Sequence, residues 1–104
     1  MKIIHGRLEL DPAGVAALRP VLRTMMQETL KEKGCLQYSL AIEDEGGDDR
    51  PALLNIAERW DDDADLRAHG ASAHMAAFNR ALKGIVRKAD LRIYDASNEK
   101  PLRI

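Results

Sequence analysis

Residues 2–10, KIIHGRLEL, alternate with a period of two. Ile4, Gly6, Leu8 and Leu10 share one face; Ile3, His5, Arg7 and Glu9 share the other. This predicts a half-buried strand. Asp11-Pro12 then supplies a helix cap and a first helical position. Val15, Leu18, Leu22, Met25, Met26 and Thr29 recur at spacings of three and four, an apolar stripe on a helix over residues 13–33. Gly34 fits the position just past its end. Pro20, inside it, removes the bond to Ala16 and predicts a kink. Residues 35–43 alternate again, with Leu36, Tyr38, Leu40 and Ile42 together, and 44–51 read as a solvated turn. In a third strand, 52–60, Leu54, Ile56, Glu58 and Trp60 share one face and Leu53, Asn55, Ala57 and Arg59 the other. Asp61, Asp62 and Asp63 cap a helix carrying Leu66 and His69, which Gly70 interrupts. Ser72 caps another with Met75, Phe78 and Leu82 on one stripe. Residues 87–95 form a fourth strand, and a polar tail with Pro101 follows.

The order β-α-β-β-α-α-β predicts an α+β fold: a ferredoxin-like, antiparallel four-stranded sheet with helices on one face. The other face is then bare and carries Ile3, Leu53, Ala57, Leu91 and Ile93 among polar neighbours. We expect that patch to meet a second sheet in a homodimer. The 104 residues suit one domain, 1–104. A formal net charge of -1 gives no nucleic-acid footprint. The N-terminus turns polar too early for a signal peptide, and no apolar run approaches the ~18 residues of a membrane span, so a cytoplasmic protein with no membrane partner is expected. Cys35 stands alone, which excludes an internal disulfide and predicts a buried, unreactive thiol.

Few aromatics make the placed ones informative. Trp60, at the end of the third strand, is either a core cap or a wall on which a flat substrate stacks. Glu58 shares its face, so its carboxylate is either hydrogen-bonded to the loop before the next helix or a proton-transfer group with a tuned pKa. His69 and His74 flank Gly70 and can converge on one opening as acid or base. A metal would need a third ligand, and none stands at ligand spacing, so no metal or cofactor is expected. Tyr38 can line the same cavity, with Met75 and Phe78 as apolar walls. The expected site is therefore one pocket: Glu58, His69 and His74 for catalysis, and Trp60, Phe78, Met75 and Tyr38 for substrate binding. His5, Arg7 and Glu9 are expected to pair across the dimer interface. Met25 and Met26 read as core. From Arg80 onward, basic residues outnumber acidic ones, enough to attract an anionic ligand or to protect a strand edge.

Gly34-Cys35-Leu36-x-Tyr38, Glu58-x-Trp60-x-Asp62, Ala64, His69 and Ser72-x-His74-Met75-x-x-Phe78, in this order, resemble the antibiotic biosynthesis monooxygenase family of the dimeric α/β-barrel superfamily. The resemblance covers essentially the whole chain. It implies two ferredoxin-like protomers forming a dimeric α/β barrel, with a pocket in each between sheet and helices; the tail, 97–104, is expected to reach the partner subunit. It implies a cofactor-independent monooxygenase that oxidises a small aromatic or quinol-like compound with molecular oxygen. Haem-degrading relatives use an Asn, a Trp and a His where this chain has Gly6, His69 and Asn79, which disfavours haem. Polyketide-oxygenating members carry an Asn where this chain has Ile56. Two other functions stay open: an isomerase or other proton-transfer enzyme on a small polar metabolite, phosphorylated or not, and a non-catalytic small-molecule binding module.

Overall fold

The computed structural model describes residues 1–104. Its elements are β1 (Lys2–Leu10), a 3-10 turn (Pro12–Gly14), α1 (Val15–Thr29), β2 (Cys35–Asp44), β3 (Ala52–Trp60), α2 (Asp63–Gly70), α3 (Ala73–Leu82) and β4 (Val86–Asp95). The four strands form one antiparallel sheet in the order β2-β3-β1-β4, the ferredoxin-like arrangement expected.

The core lies between this sheet and the helices. Leu8 and Leu10 of β1, and Ala52, Leu54, Ile56, Glu58 and Trp60 of β3, are buried on the helix-facing side. Val15, Leu18, Leu22, Met25 and Thr29 of α1 are buried against them, the stripe read from its spacing, and Pro20 lies inside α1 without ending it. Asp62 caps α2 by accepting from Asp65 N–H, and Ser72 caps α3 by accepting from Met75 N–H.

The structure corrects four expectations. The helix expected over 13–33 is shorter. Its start is a 3-10 turn capped by Asp11, and from Leu30 the chain makes tight turns, Glu32 N–H to Thr29 O and Cys35 N–H to Glu32 O. These turns bring Gly34, at φ 78°, under α2, where a Cβ would lie 2.0 Å from the Asp65 carboxylate. Leu36 is 49% exposed instead of buried, because a β-bulge between Cys35 and Gln37 puts Cys35 opposite Trp60 and shifts the phase of the strand. Cys35 is accordingly half-buried.

Leu91 and Ile93 do not lie on the bare face. They pair opposite Gly6 and Ile4, and therefore share the helix-facing side with Leu8 and Ile56. The helices do not reach that far, and every residue of β4 is exposed. The truly bare face presents His5, Arg7, Asn55, Asp90, Arg92 and Tyr94 around a shallow hollow, with only Ile3, Leu53 and Ala57 as half-buried apolar positions. It is a polar face. The apolar strip left uncovered is on the opposite side, along β4.

Candidate active site

A cavity of about 550 Å³ opens between the sheet and α3. Leu8, Ile56, Met75 and Phe78 make its walls, and Tyr38 and Glu58 supply its polar groups from the sheet side. Asn79 and Lys83 stand on α3 and just past its end, and Val86 and Leu91 of β4 complete the lining. Strand alternation accounts for the inner wall: Glu58 pairs directly with Tyr38 on β2 and Ile4 on β1, so all three point to the helix side. Phe78 and Met75, one helical step apart, face back from α3.

Glu58 is 8% exposed. Its Oε1 accepts a hydrogen bond from Trp60 Nε1 at 2.9 Å, rather than from the loop before α2. Burial pushes the Glu58 carboxyl above the ordinary range, more than the Trp60 N–H and the nearby His69 pull it down. The Tyr38 phenol is held well above its usual value, by burial first and then by the negative charge of Glu58 and Glu32. It stays a hydrogen-bond donor at any physiological pH. Burial first, and then the negative charges of Glu32 and Glu58, raise the Cys35 thiol, which disfavours a thiolate there.

Of the expected pocket residues, Glu58, Tyr38, Met75 and Phe78 line the cavity together; Trp60, His69 and His74 do not. Trp60 has no exposed surface and packs behind Glu58. Its indole lies 4.8 Å from the His69 ring, and the Tyr38 ring meets His69 edge-on at 5.2 Å. His74 faces a separate groove of about 330 Å³ between α1 and α3, lined also by Pro20, Val21 and Ala81. The two histidines do converge as expected, with ring centroids 5.9 Å apart. They converge on Glu32, in the turn after α1. His69 Nδ1 lies 2.7 Å from Glu32 Oε2, and His74 Nε2 lies 3.2 Å from Glu32 Oε1.

Ser72 holds the link between the histidines, its hydroxyl donating to the His69 carbonyl at 2.7 Å and accepting from Met75 N–H at 3.2 Å. Glu32 was not among the residues the sequence singled out. The one signal for it was its place two residues before Gly34, where a helix must already be ending. Asn79 was read only against haem-degrading relatives, and Lys83 was not read as part of the pocket.

A model of the antibiotic biosynthesis monooxygenase family matches residues 1–81. The chain belongs to this family. It is 34% identical over 68 residues, 62% of its length, to "Probable quinol monooxygenase YgiN" of Escherichia coli K12, and spans 65% of that relative. A "putative antibiotic biosynthesis monooxygenase" from Deinococcus radiodurans, solved by crystallography, superposes with a TM-score of 0.80 at 28% identity and 99% coverage of both chains. Rv0793 from Mycobacterium tuberculosis shares the fold, with a TM-score of 0.76 at 23% identity over 96% of this chain and 97% of its own. In this member of the antibiotic biosynthesis monooxygenase family, Gly6 leaves no room for a side chain on its strand: a Cβ would lie 1.9 Å from the Asp90 carbonyl oxygen. No helix is long and apolar enough to cross a membrane.

Proposed function

We propose that this chain is a cofactor-independent monooxygenase acting on a small aromatic or quinol-like compound in the cavity beneath α3. The observation that carries this reading is Glu58, a carboxylate with raised proton affinity set in an otherwise largely apolar wall, with the Tyr38 phenol on the neighbouring strand. A buried carboxylate of raised pKa is a stronger base than a solvated one. Glu58 takes an acidic proton from the substrate, from the hydroxyl of a quinol or the ring CH2 of an anthrone, which leaves negative charge on the reacting carbon. The carbanion gives its electrons to molecular oxygen, and a C–O bond forms as a peroxide anion, which takes back the proton to become a hydroperoxide. Loss of water leaves a carbonyl, so one oxygen atom enters the product and the other leaves as water. Tyr38 donates to the substrate oxygen on which negative charge gathers. Met75 and Phe78 hold the flat ring and keep water out. Trp60 fixes the Glu58 carboxylate and is a positioning residue.

Lys83, the cation at the cavity rim, favours a second reading: proton transfer on a small anionic metabolite, with no oxygen consumed. We further propose that a second copy of the chain covers the apolar strip Val86, Leu91 and Ile93, with the tail 97–104, carrying exposed Leu102 and Ile104, reaching across to it.

An oxygen electrode with a panel of hydroquinones, naphthols and anthrones tests the main reading. Saturable oxygen uptake is expected, lost in Glu58→Gln and kept in His5→Ala. A folded wild-type chain that consumes no oxygen across the panel, or a Glu58→Gln variant as fast as wild type, would overturn it.

A further inference from the structure

Glu32, His69 and His74 stand apart from the cavity, and the reading above makes no use of them. We infer that they form a binding site for a divalent transition cation of the zinc, cobalt and nickel class, with two imidazole nitrogens and one carboxylate as ligands. The three offer ligand atoms that all lie within 4.8 Å of one another. His69 Nδ1 and His74 Nε2 stand at opposite oxygens of the same carboxylate, 2.7 and 3.2 Å away. Around a tetrahedral zinc, ligand atoms about 2.0–2.1 Å from the metal sit about 3.3 Å from each other. The cluster closes on an ion with shifts of well under the length of a side chain.

An ion pair alone does not explain the arrangement. His69 Nδ1 lies in hydrogen-bonding line with Glu32 Oε2 at 2.7 Å. His74 does not: its Nε2 is shielded from solvent with no hydrogen-bond partner, the 3.2 Å approach to Glu32 Oε1 being off-line. A buried ring nitrogen left unpaired costs free energy that coordination to a cation would recover. With both imidazoles neutral the ligand set carries one negative charge, so a divalent ion leaves the site at a single positive charge. Nitrogen and oxygen donors in this mixture suit zinc, cobalt or nickel and not the oxygen-only preference of calcium or magnesium. The scaffold is fixed: His69 ends α2, His74 opens α3, the Ser72 clasp sets their spacing, and Glu32 is held by backbone bonds to Thr29 and Cys35. Three protein ligands leave a coordination position for water. Such an ion would tie the end of α1 to the α2–α3 corner.

Chelator-stripped full-length protein should be titrated with zinc by calorimetry and with cobalt by visible spectroscopy. One equivalent per chain is expected, at micromolar affinity or tighter, with the intense visible bands of low-symmetry cobalt and a rise in melting temperature. His74→Ala and Glu32→Gln should each weaken binding by about 100-fold or more, since even outer partners of ligands cost ten- to hundredfold. The Gln variant keeps a hydrogen-bond acceptor for His69, which guards against loss of fold. His5→Ala and Asp61→Asn, at the exposed histidine and the separate acidic cluster Asp61, Asp62 and Asp65, should bind like wild type. Absence of saturable binding by wild type, or binding that survives in both cluster variants, would overturn the assignment.

Discussion

β3 and β4 read alike and end up in opposite environments. Both alternate apolar and polar positions, and both pair with central strands. β3 buries Ala52, Leu54, Ile56, Glu58 and Trp60; β4 buries nothing. The helix layer lies over β2, β3 and β1, and stops short of β4. The same helix-facing side is therefore a sealed core on one strand and an open wall on the other, and the cavity forms where the two meet. Alternation fixes which residues share a face, and coverage decides what that face is worth. An uncovered Leu contributes little to folding of a single chain, whereas a covered one contributes about 1.5–3 kcal/mol.

That contrast can be broken at its strongest point first. Trp60→Ala removes the largest fully buried side chain and should cost about 3–5 kcal/mol of unfolding free energy, read by urea titration. Next, Glu58→Gln should leave the fold intact and lower oxygen turnover by about 10²-fold or more, the scale of a lost general base, measured under saturating quinol.

A smaller effect separates the same carboxyl from its neighbours. Because burial raises the folded-state pKa of Glu58, the folded chain holds its proton to higher pH than the unfolded chain does. Stability from this group is present below its unfolded pKa and is lost as pH rises through the folded value. Tyr38 opposite it, Cys35, Glu32 and His69 are the other titratable groups coupled to it, and Tyr38 keeps its proton throughout this window. Thermal unfolding of wild type should therefore decline across that window relative to Glu58→Gln, with the two curves converging at lower pH. The smallest effect belongs to β4. Ile93→Asp should change single-chain stability by no more than about 0.5 kcal/mol, as surface changes do, while sedimentation shows weaker self-association.

Most of the element order was legible in the sequence. Strand parity put Glu58 and Trp60 on one face because a period of two leaves no other choice once Leu54 and Ile56 are inside. The phase of β4 was not legible. Leu91 and Ile93 alternate equally well with either face up, and only pairing with Gly6 and Ile4 chooses between them. Leu36 was misplaced for a related reason: a bulge inserts one residue and flips everything before it. In the site, local spacing found His69 and His74. It did not find Glu32, whose approach to His69 spans 37 positions of chain and depends on how α1 ends against α2. The residues expected in a single pocket part company because Trp60 is fully buried and both histidines turn to Glu32 instead of the cavity.

If a second copy covers the open wall along β4, as proposed, that wall couples two equilibria. Val86 and Leu91 line the cavity and lie on the strip that a second copy would cover. A molecule seated in the cavity therefore touches atoms that association also buries. By thermodynamic reciprocity, whatever factor assembly adds to the molecule's affinity, the molecule adds to assembly. Dilution should then change the apparent affinity for ligand, and a saturating ligand should shift, by the same factor, the concentration at which the chains come apart.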